Sequence, residues 1–180
     1  MQRIALWLLK CLGWRIIGHL PDDKKYIIIV APHTSNWDLI ICIIARASLG
    51  AKIKFLAKHQ LFVFPFGWFF KWLGGTPVNR TQHANRVDAA AAIFNQHDEF
   101  ILGLAPEGTR SPVKRWKQGF YHIACKAEVP IVMLGLDYST KQIRLNKPFR
   151  PSGDIEQDFA YILGYYKTIK GRYPKEIPNS

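Results

Sequence analysis

Short apolar runs alternate with segments of helical character along most of the chain. Residues 26–31, Tyr-Ile-Ile-Ile-Val-Ala, form a pattern typical of a strand buried on both faces of a mostly parallel sheet. Further strands are predicted at residues 53–57, 100–105, 131–138 and 141–146. Helices are predicted at residues 84–97, 117–127 and 154–170, and another begins at Ser35 or Asn36 and ends near Ser48, before Gly50. This alternation predicts an α/β fold: a single domain, residues 21–180, in which helices flank a central, mostly parallel mixed sheet.

The first twenty residues suggest a helix with an unusual distribution of apolar side chains. Residues 2–19 are predicted to be helical, with apolar side chains around most of the circumference. Trp7 and Trp14, with scattered Lys and Arg, suit an apolar interfacial helix at a membrane, and the alternative is a helix docked on the core. Lys10 and Arg15 interrupt the apolar stretch, so it is predicted to be neither a signal peptide nor a clean membrane span. We expect residues 1–20 to form a membrane-associating helix.

An aromatic segment at residues 61–73 fits no ordinary core element, because Pro65 and Gly67 break both helix and strand. One alternative is an aromatic loop folded over the core. The other is an exposed apolar rim that enters the membrane or lines a tunnel for a hydrocarbon chain. The residues of this candidate acyl-chain or membrane contact are Phe62, Phe64, Phe66, Trp68, Phe69 and Phe70.

The composition limits the classes of partner. The chain has 180 residues and a formal net charge of +12, and 48 % of its residues are hydrophobic. That apolar content is too high for a disordered basic tail, so the charge lies on a folded body, where it suits nucleic acid, anionic lipid or a phosphorylated small molecule. The aromatic residues cluster in one apolar segment and do not interleave with Lys and Arg, which argues against nucleic acid.

The cysteines predict no cross-link. Cys11, Cys42 and Cys125 are widely spaced, and apolar residues surround each of them. This spacing indicates neither a disulfide framework nor a set of metal ligands. We therefore expect three buried cysteines in a reducing compartment and no metal site.

A base and its orienting carboxylate are predicted just after the first buried strand. His33 follows residues 26–31, and Asp38 falls in the first turn of the next helix, where the helix dipole favours its ionised form. Asp38 can reach back to the imidazole, fix its tautomer and leave the other ring nitrogen free to take a proton. The alternative is a loop histidine beside a carboxylate that only stabilises the helix end.

Three more segments contain candidate binding residues. Residues 105–111, Ala-Pro-Glu-Gly-Thr-Arg-Ser, follow a predicted strand. Gly108 permits close approach to a ligand, and Arg110 suits a phosphate. The alternative is an ordinary turn with a solvated Glu–Arg pair. This loop and His33 both lie beyond the carboxyl ends of parallel strands, where open α/β sheets bind ligands. Residues 74–80 form a Gly-rich turn that ends in Arg80 but lacks the P-loop pattern, and residues 129–133, Val-Pro-Ile-Val-Met, enter a core strand.

These four segments, in this order over residues 26–138, resemble the glycerophospholipid acyltransferase family, which includes the 1-acylglycerol-3-phosphate acyltransferases. The resemblance implies transfer of a fatty acyl group from an acyl thioester, acyl-CoA or acyl carrier protein, to the free hydroxyl of a lysophospholipid. The implied acceptor is 1-acylglycerol-3-phosphate, and the product is phosphatidic acid. No cofactor and no acyl-enzyme are implied, which agrees with the lack of a Gly-x-Ser-x-Gly nucleophile elbow in the sequence.

The resemblance also implies roles for individual residues. His33 would be the general base, and Asp38 its orienting carboxylate. The acceptor and its phosphate would be held by Arg80, Glu107, Gly108, Thr109 and Arg110. Pro130 would lie near the acyl chain or serve the structure alone.

The resemblance places the protein at the cytoplasmic face of the inner or plasma membrane, as a peripheral or monotopic enzyme. Its macromolecular partner would be an anionic membrane surface, and not nucleic acid. Two other functions suit the same residues. One is an acyl thioesterase in which the His33–Asp38 pair activates water, and the other is a non-catalytic protein that binds anionic membrane or nucleic acid through its charge.

Overall fold

A computed structural model describes residues 2–58, 63, 67–68, 74–78 and 86–178 of the chain. Within these residues the helices are α1 (Gln2–Cys11), α2 (Asn36–Leu49), α3 (Arg86–Gln96), α4 (Gly119–Ala127) and α5 (Ile155–Lys167). The strands are β1 (Arg15–Ile17), β2 (Lys25–Ala31), β3 (Ile53–Lys58), β4 (Gly75–Val78), β5 (Phe100–Leu104), β6 (Ile131–Asp137) and β7 (Gln142–Leu145).

The described strands form one sheet in the order β1-β7-β6-β2-β5-β3-β4. Strands β4, β3, β5, β2 and β6 are mutually parallel, whereas β7 is antiparallel to β6 and β1 is parallel to β7. Parallel neighbours need crossover connections, and α2, α3 and α4 each lie within one of them. The predicted α/β class and the mostly parallel mixed sheet are confirmed.

Helices cover both faces of the sheet. On one face, α3, α4 and α5 bury the aromatic side chains Phe94, Phe120, Phe159 and Tyr166. On the other face, α1 and α2 bury Leu9, Ile41 and Ala45. Strand β2 lies between the two layers, so successive residues from 26 to 29 are all buried. This double burial explains the continuous apolar run in the sequence.

The N-terminal helix is shorter than predicted. It ends at Cys11, and Gly13 adopts a positive φ of 77°, a conformation that glycine tolerates and that turns the chain away from the helix. The following residues Arg15–Ile17 pair with β7 at the edge of the sheet. The prediction of a helix over residues 2–19 is therefore wrong for its second half, where strand β1 pairs with β7 instead. Association of residues 1–20 with a membrane stays a prediction.

The structure also bears on the predicted turn, the cysteines and the aromatic segment. The sequence predicts a turn at residues 74–80, yet Gly75–Val78 form β4 beside β3. The predicted burial of the cysteines is wrong for Cys11 and Cys125, which are exposed on outward faces of their helices, and Cys42 is partly buried. Of the aromatic segment, Val63, Gly67 and Trp68 are described, and Trp68 is 72 % exposed. Outside the described residues lie Phe62, Phe64, Phe66, Phe69, Phe70 and Arg80.

Candidate active site

The loop between β2 and α2 carries His33 to the carboxyl edge of the sheet, and its shape follows from how α2 begins. Ser35 is the N-cap residue, and its hydroxyl oxygen accepts a hydrogen bond from the N–H of Trp37 at 3.1 Å. In return, Asp38 Oδ2 accepts from the N–H groups of Thr34 and Ser35, each at 2.7 Å. This capping box confirms Ser35 as the helix start and fixes the Asp38 carboxylate against the loop.

His33 and Asp38 form the predicted pair. The imidazole Nδ1 of His33 lies 3.2 Å from Oδ2 of Asp38. The His33 side chain is 30 % exposed, whereas that of Asp38 is 0 % exposed. A carboxylate at Nδ1 favours the tautomer with its proton on that nitrogen, so Nε2 keeps a lone pair that can accept a proton.

Tyr138 completes the surroundings of Asp38. Tyr138 lies at the end of β6, 100 residues after Asp38 in the sequence. Its hydroxyl donates a hydrogen bond of 2.6 Å to Asp38 Oδ1. Burial acts to raise the pKa of Asp38, but hydrogen bonds from His33, Tyr138 and the N–H groups of Ser35 and Thr34 outweigh it and lower that pKa. Asp38 is therefore held ionised, as an orienting carboxylate requires.

Glu107 lies in the loop after β5, and its carboxylate is turned inward. Its side chain is 0 % exposed, and Oε2 accepts a hydrogen bond from the backbone N–H of His33 at 2.6 Å. The ammonium of Lys175 lies 2.9 Å from Oε1, an ion pair by distance, although Oε1 accepts no well-aligned hydrogen bond from the described residues. Glu107 thus ties two loops together, and its predicted contact with an acceptor stays a prediction.

The rest of this loop faces solvent. Gly108 has a positive φ of 67°, and an added Cβ would meet the side chain of Lys117. Thr109 and Arg110 are exposed. The Arg110 guanidinium donates to Oδ1 of Asn36, in the first turn of α2, so the cation stands beside the His33 loop. The structure thereby brings Gly108, Thr109 and Arg110 to the same edge of the sheet as His33.

An apolar cavity of about 280 Å³ opens next to the pair. His33 and Asp38 lie at one end of α2, and Leu49 at the other end also lines the cavity. Since a helix rises ~1.5 Å per residue, the cavity follows α2 for roughly 16 Å from Asp38 to Leu49. The remaining wall is mostly apolar and is formed by Ile28, Val30, Leu39, Cys42, Ile43, Ala45, Arg46, Ile53, Phe55, Gly103, Leu104, Ala105 and Leu134.

Pro130 lies away from this cavity. It precedes β6, where its carbonyl accepts from the N–H of Ile27 at 3.0 Å, at the amino ends of the parallel strands. His33 lies beyond the carboxyl ends of those strands, at the opposite edge of the sheet. Pro130 does not contribute to the cavity wall. The expected proximity of Pro130 to the acyl chain is therefore not supported by its position, whereas a structural role at the strand entry is compatible with it.

A model of the acyltransferase family matches residues 15–136 of the chain, which include His33, Asp38 and the Glu107 loop. The chain belongs to the acyltransferase family. It is 30 % identical over 125 residues to a chloroplastic 1-acyl-sn-glycerol-3-phosphate acyltransferase of Brassica napus, an alignment that covers 67 % of this chain and 35 % of that one. It is 26 % identical over 157 residues to the 1-acyl-sn-glycerol-3-phosphate acyltransferase of Haemophilus influenzae, covering 80 % of this chain and 64 % of that one. In both cases less than two thirds of the relative is spanned.

A solved structure shares the fold of this acyltransferase-family chain. The crystal structure of the 1-acyl-sn-glycerophosphate acyltransferase from Thermotoga maritima superposes with a TM-score of 0.63 at 21 % sequence identity. The superposition covers 93 % of this chain and 75 % of that one. At this level of identity the likeness concerns the fold, and it agrees with the predicted α/β architecture.

Two site residues of this acyltransferase-family chain were not predicted from sequence. In the sequence, Tyr138 is the last residue of a predicted buried strand, and Lys175 is one lysine of a basic C-terminal stretch. The position of Tyr138 at a strand end offered a signal, since β6 neighbours β2 in the sheet. Lys175 gave none, because its contacts depend on the path of the chain after α5. Among the described residues no cluster of His, Cys, Asp and Glu could hold a metal ion.

Proposed function

We propose that this chain transfers a fatty acyl group from an acyl thioester, acyl-CoA or acyl carrier protein, to the free hydroxyl of 1-acyl-sn-glycerol-3-phosphate. The product is phosphatidic acid. The observation that carries the proposal is the His33–Asp38 pair in the wall of an apolar cavity, with a cationic side chain beside it. The names of the relatives support the same acceptor.

In the proposed reaction, Nε2 of His33 takes the proton of the acceptor hydroxyl as its oxygen attacks the thioester carbonyl. The new C–O ester bond forms, the C–S bond breaks, and the thiolate leaves with the proton that His33 returns. Asp38 stabilises the imidazolium that exists in between. The hydroxyl attacks directly, so this route forms no covalent acyl-enzyme.

The cavity along α2 is the proposed site of an acyl chain. Its wall is mostly apolar, and a hydrocarbon chain there gains the free energy of removing apolar surface from water. His33 lies at the end of the cavity, which is where the thioester carbonyl of a chain bound in this way would need to lie. An acyl chain with its carboxyl group towards His33 therefore fits both the shape and the chemistry.

Arg110 is the proposed contact for the acceptor's phosphate, together with Arg80. Replacing Arg110 by alanine is expected to raise the KM for lysophosphatidate by about 10-fold or more, because a charge-assisted hydrogen bond contributes about 1.5–3 kcal/mol. The KM for a lysolipid without a phosphate should change little. Initial rates at varied acceptor concentration measure this, with Arg150→Ala as the control, since Arg150 is exposed and pairs with Asp23 at the amino ends of the strands. An unchanged KM for lysophosphatidate would contradict the role.

An anionic membrane surface is the proposed location, facing the cytoplasm. Exposed apolar side chains lie on α1 and the first turns of α2, which pack together: Ile4, Leu6, Trp7, Leu8, Trp37, Leu39 and Ile40. Interfacial helices present such residues to the acyl region of a bilayer, and basic residues add about 1 kcal/mol each near anionic lipid. Within the described ranges, no helix combines the length and apolar character needed to cross a bilayer.

Product analysis tests the proposed function. The protein is incubated with labelled acyl-CoA or acylated carrier protein and with lysophosphatidate in mixed micelles, and the products are separated. We expect labelled phosphatidic acid, formed only when the acceptor is present. Labelled free fatty acid formed at the same rate with and without acceptor would instead indicate a thioesterase. No reaction with either donor would contradict an enzymatic role for the pair.

A further inference from the structure

We propose that Lys175 is a positioning residue for His33, through an ammonium that joins the two loops of the active site. This inference rests on the proposed function. The Lys175 side chain is only 3 % exposed, although Lys175 belongs to a C-terminal segment whose neighbours are mostly exposed. A buried ammonium loses hydration and rotamer freedom, so its place in the structure needs several oxygen partners.

Three oxygens surround this ammonium. Lys175 Nζ donates to the backbone carbonyl of His33 at 3.2 Å and to that of Thr109 at 3.2 Å, and it lies 2.9 Å from Oε1 of Glu107. An ammonium has three N–H donors, so one side chain can face all three oxygens. Both main-chain polar groups of His33 are thereby engaged: the carbonyl by Lys175, and the N–H by Glu107.

The segment before Lys175 is seated on the same loop. The N–H of Arg172 donates to Oγ1 of Thr34 at 3.1 Å, and the carbonyl of Lys170 accepts from the N–H of Tyr138 at 2.8 Å. At Gly171 an added Cβ would lie 2.8 Å from Cγ2 of Thr34, so the backbone of Gly171 lies directly against the Thr34 side chain. The C-terminal segment thus reaches His33 through several contacts that agree with one another.

Nothing in the family match accounts for this lysine, because the matched residues end at 136. Lys175 does not line the apolar cavity, and its bond to His33 is to the backbone carbonyl and not to the imidazole ring. Its effect passes through the backbone of His33 and the carboxylate of Glu107. Loss of Lys175 should therefore change the turnover step, which depends on the placement of His33, more than the binding of the acyl donor.

The experiment compares wild type, Lys175→Met, Glu107→Gln, Lys175→Met with Glu107→Gln, and Lys175→Arg, in steady-state acyl transfer and in thermal unfolding. For Lys175→Met we expect kcat to fall about 10–100-fold, since a small misplacement of a catalytic group costs up to about 10²-fold, with the donor KM within about twofold. Its Tm should also fall, because Glu107 is left as a buried carboxylate without its cation. Lys175→Arg keeps the charge and should recover part of kcat.

The double variant separates positioning from stability. The amide introduced by Glu107→Gln would still accept the N–H of His33 without needing a cation, so Tm should recover towards wild type. The carbonyls of His33 and Thr109 would still lack their donor, so kcat should stay well below that of Glu107→Gln alone, the reference that accounts for any contact of Glu107 with the acceptor. A kcat that recovers together with Tm would reduce Lys175 to a structural role and overturn the inference, as would a kcat for Lys175→Met close to that of wild type. Lys170→Met is the control, since that lysine is exposed in the same segment.

The two proposals fail in different ways. If the wild type cleaves the acyl thioester but never acylates lysophosphatidate, the proposed function is wrong. The rate of thioester cleavage in the same set of proteins then decides the role of Lys175, because cleavage by water also needs His33 in place.

Discussion

Replacement of His33 by alanine is expected to lower the rate of acyl transfer by roughly 10²–10⁴-fold, the usual contribution of a positioned general base. The cause is loss of Nε2, the proposed proton acceptor beside the apolar cavity. The measurement is the initial rate of phosphatidic acid formation at saturating donor and acceptor. Retained activity in this variant would remove the proposed mechanism.

The fold should tolerate this change. The His33 side chain is 30 % exposed and contacts the Asp38 carboxylate, while the hydrogen bonds to Glu107 and Lys175 use its backbone. Alanine keeps that backbone, so the circular dichroism spectrum should match that of wild type, while Tm should fall slightly because the buried Asp38 carboxylate loses the hydrogen bond from the imidazole. His122→Ala is the matched control, because His122 is exposed on α4 and should lose neither activity nor stability. Equal losses in both variants would point to a general effect of histidine removal.

Replacement of Asp38 by asparagine should cost nearly as much activity, on the order of 10²–10⁴-fold in kcat. An amide at this position no longer fixes the proton on Nδ1 of His33, and the wrong tautomer leaves Nε2 without its lone pair. Tyr138→Phe is the comparison, since it removes one hydrogen bond from the same carboxylate but keeps the charge beside His33. We expect a much smaller loss of kcat in that variant, and equal losses in both would show that the charge is not what matters.

The Asp38→Asn substitution should also alter how the stability of the fold depends on pH. Hydrogen bonds lower the pKa of Asp38 in the folded state relative to the unfolded chain, where a carboxyl of this type titrates near ~3.9. The stabilisation is therefore complete above the unfolded pKa and is lost as pH falls through the folded value. The Tm of wild type should exceed that of Asp38→Asn by most at neutral pH, and the difference should shrink in acid. A difference that stays constant from neutral pH into the acid range would contradict the ionised carboxylate.

The sequence predicts those parts of the protein that depend on local pattern. Strand β2 could be predicted because burial on both faces leaves an unbroken apolar run, and α2 because Ser35 and Gly50 mark its ends. The His33–Asp38 pair was accessible for the same reason, since both residues belong to one loop and helix turn. A short edge strand such as Arg15–Ile17 carries no comparable signal, because three residues cannot show an alternation.

Contacts between distant parts of the chain could not be predicted. Tyr138 meets Asp38 across 100 residues, and Lys175 meets His33 across 142. Such partners are brought together by strand order and by the course of the last segment, neither of which leaves a periodic trace. The burial of the Glu107 side chain could not be predicted for the same reason. Its sequence neighbours Gly108 and Arg110 suggest a ligand site, and only the fold shows which side chain of that loop is buried.

The cavity along α2 also has a thermodynamic meaning for the folded state. Its wall is formed by residues of the sheet and of a helix packed on it, positions that in an ordinary core would be filled by neighbouring side chains. Apolar side chains that face water there lack the stabilisation that contact with packed neighbours gives in a filled core. An occupant with matching apolar surface restores it, and binding to the folded state alone shifts the folding equilibrium. The protein should therefore be most resistant to heat and proteolysis while it holds a hydrocarbon chain, and under the proposed function its lifetime would follow the supply of acyl donor.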